Sequence, residues 1–142
     1  MGAPTDTRAA SKALARRLCI DLFSEGRIEA LPELVTEDYV NHNRMPGISP
    51  GRAGLEEVVR MVREGFPDFR YTVERTLAEG DQVVVHVTAQ GTHQGLLFHR
   101  FPPTGRHAAW WEMHWFRIRD GLAAEHWGVR DDAGMIRQLG LA

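Results

Sequence analysis

The chain has too few cysteines for one familiar way of stabilising a small fold. Cys19 is the single cysteine among 142 residues, so no disulfide can form within one chain, and no Cys-x-x-Cys motif is present. A domain of this size buries enough apolar surface to form a core without disulfides or metal. We therefore expect one domain, residues 1–142, with residues 1–6 as a loose tail.

Several classes of function are disfavoured because their sequence signals are missing. Seventeen basic and nineteen acidic residues give a net charge of −2, which predicts no nucleic-acid partner. No apolar run approaches the roughly 18 residues that span a membrane, and the first residues lack the apolar segment of a signal peptide. These observations predict a cytoplasmic protein with no membrane partner.

The sequence also lacks the short motifs of cofactor, metal and nucleophile sites. Neither glycine-rich nucleotide motif occurs, nor a Gly-x-Ser-x-Gly elbow, nor a His-Glu-x-x-His zinc motif. Cys19 lies on the apolar stripe of a predicted helix, which disfavours a nucleophilic role. The sequence therefore predicts neither a cofactor nor a metal.

The first half of the chain has helical periodicity. Leu14, Leu18 and Leu22 recur every four residues from Thr7 onward, and Gly26 ends that helix. Shorter patterns predict helices over about 28–35 and 52–64.

After Pro67 the apolar period changes to two, which indicates strands. Phe69, Tyr71, Val73 and Leu77 share one predicted face, and Asp120-Gly121 is a strong hairpin turn. Strands are predicted over about 69–77, 82–90, 106–119 and 122–131, followed by a short helix over 135–139. Helices followed by consecutive hairpins predict an α+β fold: an antiparallel sheet with the helices packed on one face.

Asp131 is the first candidate for acid–base chemistry. If the last strand alternates regularly, Glu125, Trp127, Val129 and Asp131 share a face, and the two apolar residues suggest that this face is interior. Burial raises the pKa of a carboxyl, which suits a general acid or base. Asp131 is equally suited to cap the closing helix, although Asp132 could take that role.

His114 lies on the neighbouring predicted strand, on one face with Glu112 and Phe116. The opposite face carries Trp111 and Trp115, and because both faces are partly apolar the pattern leaves open which one is interior. A strand histidine is either a structural hydrogen-bonding residue or part of a site.

The remaining candidates could bind a small molecule. Asn41 and His42 form a polar cluster that either stabilises a loop or contacts a ligand. His93 either fixes a turn or contacts the ligand. All four tryptophans fall in the last two strands, where Trp111 and Trp127 are either core residues or walls of an apolar cavity.

Taken in order, several short motifs resemble the SnoaL-like polyketide cyclase family. The resemblance spans about residues 10–141, and it departs from the family at Leu122-Ala123 and between Gly95 and Pro102. The motifs are Tyr39-Val-Asn-His-Asn43, Gly91-Thr-His-Gln-Gly95, Pro102-Pro-Thr-Gly-Arg106, His114-Trp-Phe-Arg-Ile-Arg-Asp-Gly121, Glu125-His-Trp127 with Asp131, and Gln138-Leu-Gly140.

The resemblance implies a nuclear-transport-factor-2-like fold, which is a cone of curved antiparallel sheet closed by N-terminal helices. It implies cofactor-free intramolecular aldol closure of an aromatic polyketide ester, as in antibiotic biosynthesis and other secondary metabolism. Asp131 would be the general acid or base, His114 would assist, and Asn41 would contact the ligand.

Three functions follow as hypotheses. The first is this cyclase, in which His42, His93, Trp111 and Trp127 join Asn41 in binding an apolar or aromatic polyketide-like substrate. The second is a module of the same fold that binds a small molecule or serves as a dimer scaffold without catalysis. The third is a hydratase or hydroxylase that uses the same pocket. In each case we expect a homodimer or tetramer, because one broad sheet face would otherwise remain uncovered.

Overall fold

The computed structural model describes residues 7–142, and the predicted tail at residues 1–6 lies outside them. Helix α1 (Thr7–Arg17) continues into a wider helical turn (Leu18–Ser24). A 3-10 turn (Ile28–Ala30) then leads into the short helix α2 (Leu31–Leu34). The long helix α3 spans Gly51–Gly65, and the closing helix α4 spans Asp132–Gln138.

Within residues 7–142, five strands form one sheet. They are β1 (Val35–Asn41), β2 (Arg70–Glu79), β3 (Gln82–Thr92), β4 (His107–Arg119) and β5 (Leu122–Arg130), in the order β1-β5-β4-β3-β2. Strands β2 to β5 pair antiparallel, as predicted. The α+β fold with a curved sheet is confirmed.

The edge strand β1 differs from the sequence prediction. It pairs parallel to β5, with Asn41 opposite His126, and it begins at Val35, where the prediction ended a helix. Pro32 near the start of α2 leaves only a four-residue helix before the chain becomes extended. Because β1 ends beside the middle of β5, it brings Asn41 to the inner face of the sheet.

The helices cover one face of the sheet, and the core lies between them. Helix α1 packs on β2 and β3, and α3 packs on β1. Strand β3 contributes alternating buried residues, among them Val83, Val85 and Val87. This period of two is what a strand with one face in the core requires.

A register shift in β2 explains one error about sidedness. The pairing of β2 with β3 slips between Val73 and Arg75, which inserts one extra residue. After such a bulge the side chains exchange faces. Leu77 therefore points outward and is 68% exposed, although regular alternation placed it with Phe69 and Tyr71.

No helix within residues 7–142 is long and apolar enough to cross a membrane.

The inner face of β3 ends at Gly91 because a side chain there would collide with the core. A Cβ built at Gly91 lies 2.7 Å from the Cβ of Phe66, which is fully buried. We expect Gly91→Ala to lower the free energy of unfolding by about 1–3 kcal/mol through overpacking. Urea unfolding measures this, with Gln90→Ala on the opposite face as a control that should change stability by less than about 0.5 kcal/mol. Equal stability of the two variants would contradict the packing argument.

Candidate active site

A mostly apolar cavity opens between the helices and the inner face of the sheet. Its free volume is about 80 Å³, and it is lined from every layer of the fold. Aromatic side chains form much of its wall: Phe23, Tyr39, Phe66, Phe69, Tyr71, Phe98, Trp110 and Phe116. The polar side chains at this wall are therefore the candidates for chemistry.

Glu112 is a carboxylate buried in this apolar wall, with 3% of its surface exposed. Three donors satisfy it: the Tyr71 hydroxyl at 2.7 Å, the Trp110 Nε1–H at 2.7 Å and His114 Nε2 at 2.8 Å. Burial alone would raise the pKa of Glu112, but the hydrogen bonds from His114 and Tyr71 outweigh it and hold the pKa below its usual value. Glu112 is therefore ionised at neutral pH.

A row of side chains continues from Glu112 across the sheet. His114 Nδ1 lies 2.8 Å from His126 Nε2, and His126 Nδ1 lies 2.8 Å from Asn41 Oδ1. Strands β4, β5 and β1 are neighbours in the sheet, so two inward residues of β4 and one each from β5 and β1 form the row. We call Glu112, His114, His126 and Asn41 the polar row.

The two histidines can approach because β5 has a glycine beside them. A Cβ built at Gly128 would lie 2.9 Å from His126 Cε1 and 3.0 Å from His114 Nδ1. His114 and Gly128 are register partners on β4 and β5. Any larger residue at position 128 would push the imidazole rings apart.

Burial sets the charge state of other groups at the cavity wall. It lowers the pKa of His126 well below its usual range, and the positive charges of His114 and Arg130 add to this shift. Burial also raises the pKa of the Cys19 thiol to about 12 and that of the Tyr71 hydroxyl well above its usual value. His126, Cys19 and Tyr71 are therefore neutral at pH 7.

Two predicted site residues reach the cavity. His114 and Asn41 both line it, and the face of β4 that the sequence left open is now assigned. The inward residues of β4 include Trp110, Glu112 and His114. The roles predicted for His114 and Asn41 stay predictions.

The orientation predicted for Asp131 is not found. Its Oδ1 accepts a hydrogen bond of 3.0 Å from the Gly134 amide and so caps α4, and its carboxylate is absent from the cavity wall. Trp127 and Val129, whose face Asp131 was predicted to share, point outward, and β5 ends at Arg130, so Asp131 is directed away from the cavity. Asp132, which follows, lines the cavity and lies 3.5 Å from Arg130.

The tryptophans predicted to line the cavity lie on the opposite face of the sheet. Trp111 is 45% exposed and Trp127 is 37% exposed, and Val129 beside them is also exposed. His42 stacks on Trp127, with ring centroids 4.6 Å apart, and is likewise outside the cavity. The inner positions of β5 belong instead to His126 and Arg130.

His93 is fully buried but belongs to a loop rather than to the cavity. Its Nδ1 lies 3.1 Å from the Thr104 hydroxyl, and its Nε2 lies 3.2 Å from the Phe101 carbonyl. These contacts connect the two ends of the loop after β3. Of the two roles that the sequence left open for His93, the structure therefore shows the one that stabilises a turn.

Sequence reasoning missed Glu112 and His126 as site residues. Glu112 is two positions from both Trp110 and His114, so alternation already placed the three side chains on one face. His126 was hidden because Trp127 was taken as the inward residue of β5. Within residues 7–142, no three histidine, cysteine or acidic side chains are grouped to hold a metal ion.

The lowered pKa of His126 predicts a stability that falls with acidification. Below about pH 6.5 the unfolded chain protonates this histidine, whereas the folded chain does not. Each pH unit below that value therefore costs up to about 1.4 kcal/mol from His126, and Glu112 adds a loss in the same direction at lower pH. Urea unfolding at pH 6 and pH 5 measures this loss, and His126→Gln should flatten the slope by about one proton. An unchanged slope in that variant would contradict the buried neutral state.

Known proteins match this chain over nearly all of its length. The model of the SnoaL-like polyketide cyclase family matches residues 13–139. The nogalonic acid methyl ester cyclase of Streptomyces nogalater is 31% identical over 123 residues, which are 85% of this chain and 91% of that protein.

Solved structures give the same picture. TsrD from Streptomyces laurentii has a TM-score of 0.86 and 28% identity, covering 95% of this chain and 98% of TsrD. IdmH from Streptomyces antibioticus has a TM-score of 0.77 and 34% identity, covering 91% and 97%. This chain belongs to the SnoaL-like polyketide cyclase family.

Proposed function

We propose that this protein is a cofactor-free cyclase that closes a ring in an aromatic polyketide ester by an intramolecular aldol reaction. The observation that carries the proposal is His114, held by the buried carboxylate of Glu112 at the wall of an apolar cavity. The family and the relative that acts on nogalonic acid methyl ester support the substrate class.

The reaction needs one base and one acid. The base removes a proton from the methylene between two carbonyls, and the resulting enolate carbon forms a bond to a second carbonyl carbon. The alkoxide formed there takes a proton from the acid. The proton that the base removed is later returned to the acid, so both groups regain their starting states. His114 supplies the acid, and the apolar wall holds the flexible chain folded for attack.

The base is assigned to Asp131 on the strength of the resemblance. Because the Asp131 carboxylate caps α4 and is absent from the cavity wall, this role requires its side chain to turn away from the Gly134 amide and into the cavity. Asp132 competes for this role because it lines the cavity, whereas Asp131 does not.

The cavity must widen to take such a substrate. Its volume of about 80 Å³ is well below the roughly 300–1,000 Å³ typical of small-molecule sites. Phe98 lines the cavity from the loop between β3 and β4. Its backbone is left-handed (φ 52°), as is that of His99 after it (φ 53°). We propose that this loop moves when the substrate enters.

A binding module without catalysis is the second candidate. The capping hydrogen bond of Asp131 favours it, because a carboxylate committed to the helix would leave the cavity without the predicted base.

The outer face of the sheet is proposed to form a homodimer interface. Trp111, Met113, Trp115, Trp127 and Val129 are neighbours on this face, and each is at least 37% exposed. Contiguous apolar surface of this kind marks an interface. A cytoplasmic location stays a prediction.

Substituting the two adjacent carboxylates tests the base. With nogalonic acid methyl ester as the assayed compound, we expect Asp131→Asn to lower kcat by about 10²–10⁴-fold, since loss of a general base has this effect. Asp132→Asn is the matched control and should retain most activity. Asn caps helices about as well as Asp, so Asp131→Asn should keep the fold.

The opposite pattern would move the base to Asp132. If both variants kept near-full activity, the acid–base proposal would be lost for these residues. If the wild type bound the ester but did not turn it over, the binding module would be favoured.

A charge on the outer face tests the dimer. Met113→Glu should weaken self-association at least about 30-fold, because burying an unpaired charge costs about 2 kcal/mol or more. Leu96→Glu makes the same change at an exposed apolar residue in the loop after β3, and it should leave association unchanged. Sedimentation at micromolar concentration measures both. A monomeric wild type would contradict the proposal.

A further inference from the structure

The hydrogen-bond directions in the polar row are fixed at its Asn41 end. The backbone N–H of Asn43 donates to Asn41 Oδ1 at 2.9 Å, which identifies that atom as the amide oxygen. The same oxygen lies 2.8 Å from His126 Nδ1. An amide oxygen only accepts hydrogen bonds, so His126 carries a hydrogen on Nδ1.

The directions are also fixed at the Glu112 end. The ionised carboxylate only accepts, and its Oε1 lies 2.8 Å from His114 Nε2. His114 therefore carries a hydrogen on Nε2. Tyr71 donates to the same oxygen, which leaves this assignment unchanged.

These two assignments conflict at the middle of the row unless an additional proton is present. His114 Nδ1 and His126 Nε2 lie 2.8 Å apart, a hydrogen-bond distance. If both rings were neutral, each would turn a bare lone pair toward the other. One hydrogen between them removes this repulsion and makes a charge-assisted hydrogen bond.

We propose that the His114–His126 pair holds one additional proton at neutral pH, carried on Nδ1 of His114, and that Asn41 is a positioning residue that imposes this state through His126. His114 is then an imidazolium paired with Glu112, and His126 is a neutral acceptor. The use of this proton rests on the proposed function: it is the one that neutralises the alkoxide when a substrate oxygen replaces His126 Nε2.

The charges around the pair are consistent with one retained proton. Cys19 and Tyr71 are neutral, and Glu112 is the buried negative charge in direct contact. The titratable and charged groups that face the pair lie on the helical turn after α1 and on strands β1, β2, β4 and β5: Cys19, Tyr39, Tyr71, Glu112 and Arg130. Two more distant groups are Asp132 on α4 and His42 after β1. Arg130 opposes a second positive charge and lies 3.5 Å from Asp132.

Nitrogen NMR of the full chain labelled with ¹⁵N-histidine tests the inference without any substrate. At pH 7 we expect hydrogens on both ring nitrogens of His114 and on Nδ1 alone of His126. Signals are assigned by substituting each histidine in turn. A neutral His114, or His126 with its hydrogen on Nε2, would overturn the inference.

A pair of variants at Asn41 tests whether control runs through His126. Asn41→Leu removes the acceptor, so His126 can move its hydrogen to Nε2 and donate to a neutral His114. The pair should then lose its additional proton at a pH about one to two units lower. Asn41→Asp keeps an acceptor, so His126 should keep its hydrogen on Nδ1, and the added negative charge should help the pair to keep its additional proton. Asn41 is linked to His114 by hydrogen bonds through His126, so equal His114 signals in all three proteins would contradict its positioning role.

Failure of this inference differs from failure of the proposed cyclase. A protein with imidazolium at His114 but no turnover of the ester keeps the inference and loses the function. Turnover with a neutral His114 does the reverse. Should Asn41→Leu fail to fold, the wild-type spectrum alone still decides the protonation state.

Discussion

The site depends on one constraint, which is the burial of the Glu112 carboxylate in an apolar wall. A buried charge is costly unless it is paired and hydrogen-bonded, and Glu112 receives donors from Tyr71, Trp110 and His114. Two of these flank it at i−2 and i+2 on β4, where strand alternation places them on the same face. The third comes from β2, two strands away in the sheet. The need to satisfy Glu112 therefore determines which side chains of β2 and β4 face inward around it.

The order of helices and strands was predictable from the sequence because periodicity and turn residues are local signals. Sidedness was not, because it depends on packing between distant segments. Trp127 is more apolar than His126, yet His126 is the buried one. His126 finds partners inside, in His114 and Asn41, whereas Trp127 stacks with His42 on the other face. Apolarity therefore gave the wrong inner face for β5.

The candidate site was predictable only in part, because its residues come from segments that are distant in the sequence. His114 and Asn41 were candidates from their positions in the sequence and received roles from the resemblance, and both line the cavity. Asp131 was placed by continuing the alternation of β5 from Trp127 and Val129, which face outward, to the residue that caps α4. Glu112 was visible as a neighbour of His114 on one face, but a charged residue on a strand usually indicates solvent. Two of its three donors are neighbours on β4, but the third, Tyr71, comes from β2, and no local pattern in the sequence brings it to Glu112.

The additional proton on the histidine pair also answers the electrostatic problem that Glu112 creates. A lone carboxylate would place a full negative charge in the cavity wall, whereas the carboxylate and one imidazolium together are neutral. Their attraction is strong because little water screens it, and the distance of 2.8 Å suits a charge-assisted hydrogen bond. Gly128 lets His126 approach closely enough to accept from His114, and Asn41 determines which nitrogen accepts. A neutral polar row can therefore remain buried until a substrate oxygen competes for its proton.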